Sequence, residues 1–212
     1  MRFDEVGERL ASLPDALPPP VAVLMPEIVG SPGRRPRRTP PADRPPRPAA
    51  VLVLLYPDDL GIARVVLTER ASRDGYHSGE VSFPGGKAEP HDADPTATAL
   101  REAAEEIALD AREADLRVVG QLERFWIPVS DFEVTPVVAL ASRRPRLVAS
   151  PAEVARIVEP PMASFLPDAP IVIVERTIGD WPLRYGAYEV EGLSVWGATA
   201  RILSQLGAIL VG

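Results

Sequence analysis

Residues 85–109 read GGKAEPHDADPTATALREAAEEIAL, and their pattern decides what kind of fold this chain builds. Asp94 followed by Pro95 is a helix start: aspartate accepts from free N–H groups of the first turn, and proline suits the first helical position. The helical pattern runs from 95 to 109. At about 100° per residue, Glu102, Glu105 and Glu106 share one arc, and Leu100, Ala103, Ala104 and Ile107 face the opposite way. The alanines let that apolar face lie close against a sheet.

The carboxylate face is costly. Like charges at i,i+4 destabilise a helix by a few tenths of a kcal/mol per pair, and glutamates near its C-terminus oppose the macrodipole. Only Arg101, four residues before Glu105, offers compensation nearby. A divalent cation would turn the cluster into the hard oxygen-ligand site that Mg²⁺ or Mn²⁺ prefers. A solvated surface face accounts for the same spacing. The preceding Phe83-Pro84-Gly85-Gly86 favours the cation, since paired glycines let backbone approach a phosphate or an ion closely. It is not a Walker loop, because Val81 and Ala88 stand where glycine and Ser/Thr are required.

Working outward, residues 50–56 (AVLVLLY) form a continuous apolar run of strand length. Asp58, Asp59 and Gly61 mark a turn, and residues 63–68 (ARVVLT) read as its hairpin partner. A short strand is expected at 81–83 and others at 116–122, 134–140 and 171–177, the last rich in β-branched residues. Residues 193–210 read as a closing helix. Strands on both sides of a central helix predict an α/β domain. Upstream, residues 4–13 suit a short amphipathic helix through Val6, Leu10 and Leu13. Residues 31–48 (SPGRRPRRTPPADRPPRP) are low-complexity proline and arginine that cannot pack, so a solvated linker is favoured over a basic arm. The expected division is 1–48, N-terminal helix and linker, and 49–212, the domain.

Composition narrows the function. With no cysteine, disulfides, thiolate metal sites and a cysteine nucleophile are excluded together. A net charge of -7 argues against nucleic acid as the main partner. No stretch approaches the roughly 20 apolar residues of a membrane span, and no apolar leader core begins the chain. A cytoplasmic protein without membrane or nucleic-acid partners is the expectation, with a homodimer left open.

Gly86, Asp92 and Arg101-Glu102-Ala103-Ala104-Glu105-Glu106 resemble the Nudix box, a glycine and a spaced acid followed by Arg-Glu-x-x-Glu-Glu. The generic box has glutamate where Asp92 stands, one fewer residue before the arginine, and a late glycine where Ala108 stands. The longer spacing looks like the coenzyme A pyrophosphatase branch. Residues 67–70 (LTER), 77–86 (HSGEVSFPGG), 134–138 (VTPVV) and 195–201 (VWGATAR) are similar to segments of that branch, while Asp74-Gly75-Tyr76 departs from it. The resemblance implies a Nudix-type α/β/α sandwich, with a mixed sheet and the carboxylate-bearing helix packed on it.

It also implies roles. Glu102 and Glu106 would be the main ligands of Mg²⁺ or Mn²⁺, Glu105 assisting directly or through water, with the Gly86 carbonyl a further ligand. Arg101 would hold the glutamates or stabilise phosphate charge. Gly85, Gly86, Lys87, Arg70 and His77 would meet substrate, and Arg70 or Arg73 suits a 3′-phosphate. The general base stays open among Glu102, Asp131, Glu133 and Glu153. Trp196 reads as core. The implied reaction is hydrolysis of the diphosphate of coenzyme A or its thioesters. The alternatives are another nucleoside-diphosphate substrate such as ADP-ribose or a dinucleotide, or a non-catalytic ligand-binding domain of the same fold.

Overall fold

A computed structural model describes residues 1–11, 13–14, 16–30, 40, 43–71, 80–178 and 181–212. In chain order the first half forms α1 (Phe3–Arg9), β1 (Glu27–Ile28), β2 (Arg47–Pro57), β3 (Ala63–Val65), β4 (Leu67–Arg70), β5 (Val81–Ser82), β6 (Gly85–Lys87) and α2 (Pro95–Ile107). The second half forms β7 (Leu116–Gln121), β8 (Phe125–Ile127), β9 (Phe132–Ala141), β10 (Val154–Val158), β11 (Val172–Ile178), β12 (Trp181–Val190), β13 (Leu193–Val195) and α3 (Gly197–Val211).

The central sheet has the order β3-β2-β9-β7, with β6 on β2 and β8 on β9. Only β2 and β9 run parallel in it; the other pairs are antiparallel. A parallel pair needs a long crossover, and the chain between them supplies it, including α2. Burial on both faces explains why β2 is continuously apolar instead of alternating. Ala50, Leu52, Leu54 and Tyr56 join Ala99, Ala103 and Ile107 of α2 in one core cluster. Val53 and Leu55 join Leu203, Leu206 and Leu210 of α3 in the other. The sheet thus lies between α2 and α3, a mixed α/β sandwich of the expected class.

Several elements differ from the sequence reading. The single hairpin partner expected at 63–68 is divided: β3 pairs with β2, whereas β4 pairs with β10 and β5 in a second sheet. The chain passes between sheets at Val66, whose N–H still reaches the Leu54 carbonyl at 3.0 Å. The closing helix starts at Gly197, φ 62°, because residues 193–195 pair with β12 as a strand. Before Ala49, Val6, Leu10 and Leu24 are fully buried in the α3-side core, and β1 pairs with β12. Gln205 Nε2 donates to the Pro18 carbonyl at 3.0 Å, so α3 also holds this N-terminal strap. Residues ahead of the expected domain start therefore contribute to its core. Among the described residues no helix is long and apolar enough to cross a membrane.

Candidate active site

α2 begins as its sequence dictates. Asp94 Oδ1 accepts from the Ala97 N–H at 2.8 Å, with Pro95 in the first helical position. It ends at Ala108, a non-glycine residue at φ 52°. The expected faces are partly redistributed: Ala104 is exposed, and Glu106 is only 7% exposed beside Ala103 and Ile107. What lets a carboxylate occupy that side is the glycine turn, where the Gly85 N–H donates to Glu106 Oε2 at 3.1 Å.

That turn requires glycine at 85, and glycine at 86 leaves the Glu102 carboxylate its place. Gly85 has φ 154°, and a Cβ there would stand 2.4 Å from the Ala50 carbonyl oxygen. A Cβ on Gly86 would stand 2.6 Å from the Glu102 carboxylate. The backbone of β6 therefore lies directly against the carboxylate helix, where a side chain at 86 would push the Glu102 carboxylate aside.

Burial pushes the Glu106 carboxyl up to about 7; the Gly85 hydrogen bond and Arg70 oppose this, and the charges of Glu102 and Glu153 add to it. Glu102 is raised too, by burial first, against the pull of Arg101. Glu105 is mostly exposed and meets Arg101 at 3.1 Å. Arg101 is the hub of the helix. It gives Nε and Nη2 to the two Asp92 oxygens at 3.0 and 2.9 Å, Nη2 to the Lys87 carbonyl at 3.0 Å, and Nη1 to Glu102 and Glu105. Asp92 also accepts from Thr98 Oγ1 and the Glu89 N–H. The bidentate Arg101 fork leads these contacts in holding its carboxyl well below the ordinary range. The shorter acid at 92 thus meets the arginine in full despite the longer spacing.

Arg70 ends β4, exposed, with its charge reaching Glu106. Lys87 is exposed, and its carbonyl serves Arg101. Of the downstream acids, Glu153 acts electrostatically on both Glu102 and Glu106, and its carbonyl accepts from the Ala71 N–H at 2.9 Å. Asp131 instead takes Arg44 at 2.7 Å and the Trp126 indole N–H, and Glu133 takes Arg124 at 3.4 Å. Trp196 stacks on Tyr185 with 4.7 Å between ring centres. His77, Arg73 and residues 74–76 lie outside the described residues, as does the Arg34–Arg38 part of the basic segment. Sequence reasoning passed over Thr98; its place three residues before Arg101 on one helix was the available signal.

Among the described residues no three His, Asp or Glu side chains stand close enough together to grip an ion. Glu102 and Glu105 are turned to Arg101, and Glu106 to the Gly85 N–H. The donor chemistry nonetheless fits a hard divalent cation. Two partly desolvated carboxylates one turn apart, Glu102 sharing its one arginine with Asp92 and Glu105, are anionic oxygen donors of the kind such an ion takes.

Comparison with known proteins identifies the family. A family model described as the NUDIX domain matches residues 46–165, more than half the chain. Nudix hydrolase 22, chloroplastic, of Arabidopsis thaliana is 40% identical over 78% of this chain and 56% of its own length. Nudix hydrolase 15, mitochondrial, of the same plant is 38% identical over 77% of this chain and 59% of its own length. The chain therefore spans somewhat more than half of these two relatives. An uncharacterized Nudix hydrolase, NudL, of Photorhabdus laumondii is 35% identical over 67% of this chain and 74% of its own length. Among solved structures, a Nudix hydrolase from M. smegmatis, RenU, aligns with a TM-score of 0.49 at 21% identity, over 75% of this chain and 81% of that one. On the matched domain and these relatives, the chain belongs to the Nudix family.

Proposed function

We propose that this protein hydrolyses the diphosphate of coenzyme A or its thioesters, releasing adenosine 3′,5′-bisphosphate and 4′-phosphopantetheine or its acyl form. The observation that carries the reading is the buried Glu106, held by Gly85 one helical turn beyond Glu102. Glu102 and Glu106 would hold Mg²⁺ or Mn²⁺, with Glu105 and the Gly86 carbonyl as further donors. The bound ion supplies positive charge that offsets the diphosphate's and makes water a better nucleophile. Arg101 is saturated by carboxylates and a carbonyl, so its part is to orient Glu102 and Glu105. Glu153, just ahead of β10, acts electrostatically on the pair and is the acid we assign to take the proton of the attacking water. Arg70 brings the cationic fork that a phosphate needs to the edge of the site.

Support for coenzyme A comes from residues 67–70, 77–86 and 195–201, which resemble that branch of the family. Incubation with coenzyme A and Mg²⁺ or Mn²⁺, beside Glu106→Gln, with chromatography of the products, is the test. Adenosine 3′,5′-bisphosphate from the wild type alone is the expected result. Turnover of ADP-ribose or a dinucleotide in place of coenzyme A would move the reading to another nucleotide substrate. No turnover of any of them would leave a ligand-binding domain.

A further inference from the structure

The segment entering the glycine turn is held from outside the matched Nudix domain. Among the described residues β5 is the edge strand of its sheet, with β4 on one side. Thr199, 7% exposed in the first turn of α3, donates its Oγ1 to the Val81 carbonyl of β5 at 3.0 Å. A threonine near a helix start commonly serves its own helix, and α3 has no side-chain cap at Trp196. Thr199 instead spends its hydroxyl on a strand far away in sequence. Four residues after Val81 comes Gly85, whose N–H holds Glu106. Between them the Pro84 carbonyl is fixed by the Leu52 N–H at 2.8 Å. Only Ser82, whose carbonyl accepts from Thr68 Oγ1 of β4 at 3.3 Å, and Phe83, buried in the α3-side core, separate these two carbonyls. The segment therefore has little slack with which to absorb a shift at Val81.

We infer that Thr199 is a positioning residue for the catalytic glycine turn, so that α3 sets where the Gly85 N–H and, through it, the Glu106 carboxylate stand. The inference rests on the hydrolase reading above for its kinetic consequence, though not for its structural one. Thr199→Val removes the donor and keeps the shape; Thr199→Ser keeps the donor. Gln205→Leu, on the same helix, cuts the contact to the Pro18 carbonyl instead and controls for general loosening of α3.

The experiment compares these variants by kcat and KM on the accepted nucleotide, by Mn²⁺ affinity from electron paramagnetic resonance, and by the Gly85 amide resonance. Expected for Thr199→Val are a roughly tenfold fall in kcat with little change in KM, a several-fold loss of Mn²⁺ affinity and a displaced Gly85 amide. Thr199→Ser should restore all three, and Gln205→Leu should lower the melting temperature while leaving all three in place. A Gly85 amide and Mn²⁺ affinity unchanged in folded Thr199→Val would overturn the inference. So would equal effects from Gln205→Leu. If the wild type turned over no nucleotide, the hydrolase reading would fail, and the amide resonance would still decide the role of Thr199.

Discussion

Glu106 illustrates at the residue scale how a site is purchased with stability. A carboxylate at 7% exposure with one backbone donor is a poor use of a core position unless its charge has work to do. Glu106→Gln keeps an oxygen for the Gly85 N–H and removes the buried charge. Urea unfolding in EDTA at pH 8 should find the variant more stable by about 2 kcal/mol, while hydrolysis falls by roughly 100-fold or more. A less stable variant would contradict the burial argument. Ala108 carries a smaller cost at φ 52°, where the family's box has glycine. Ala108→Gly should gain about 1 kcal/mol, since an L side chain is disfavoured in the left-handed region. Asp92 has the opposite linkage from Glu106. Its pKa is lowered in the folded protein, so its contribution is complete above the ordinary carboxylate value and is lost as pH falls through the folded one. Asp92→Asn should therefore melt below the wild type at pH 7, and the gap should narrow as the pH is taken below about 4. A constant gap across that range would show that the pair with Arg101 is not its source.

At the scale of elements, the helix was the most legible part of the chain, and it could be read because its signals are local. The Asp94 cap, Pro95 and the apolar positions Ala103 and Ile107 all lie within one segment, although the same spacing also placed the exposed Ala104 on that face and passed over the buried Ala99. The burial of Glu106 was not legible, because it depends on a backbone N–H that arrives from β6. Strands β2, β7 and β9 were visible as apolar runs, but the division of residues 63–68 between two sheets was not: Val65, Val66 and Leu67 form one unbroken apolar run, and only their partners separate β3 from β4. β12 was missed because its buried Leu183, Tyr185 and Ala187 are interleaved with Pro182, Arg184 and Gly186, which read as loop. The N-terminal strap was hidden by composition, since proline-rich sequence around Leu24 gives no periodicity although Leu24 is fully buried. The structural reading makes α1 part of the core: Leu10→Ala should cost about 3 kcal/mol by urea unfolding. A cost under 1 kcal/mol would take the segment out of the core.

Over the whole molecule, two cores share one sheet, and side chains of β2 alternate between them. That arrangement puts the carboxylate helix on one face and α3 on the other, with the glycine turn at the edge of β2 pairing to Ala50 and Val51. The candidate site is thereby a junction of both layers, which is why a family signature in one segment said so little about what supports it. The parallel pairing of β2 with β9 has a consequence for how the protein comes into being. Arg47 must wait for Phe132, and Leu55 for Leu140, so the central ladder forms only after a long loop has closed. During synthesis Leu52 and Leu54 leave the ribosome well before the strand that covers them. A nascent chain halted ahead of residue 132 can pair β2 with β3 and β6 but leaves its whole β9 edge open on a strongly apolar strand, and such species are the ones that call on chaperones or aggregate.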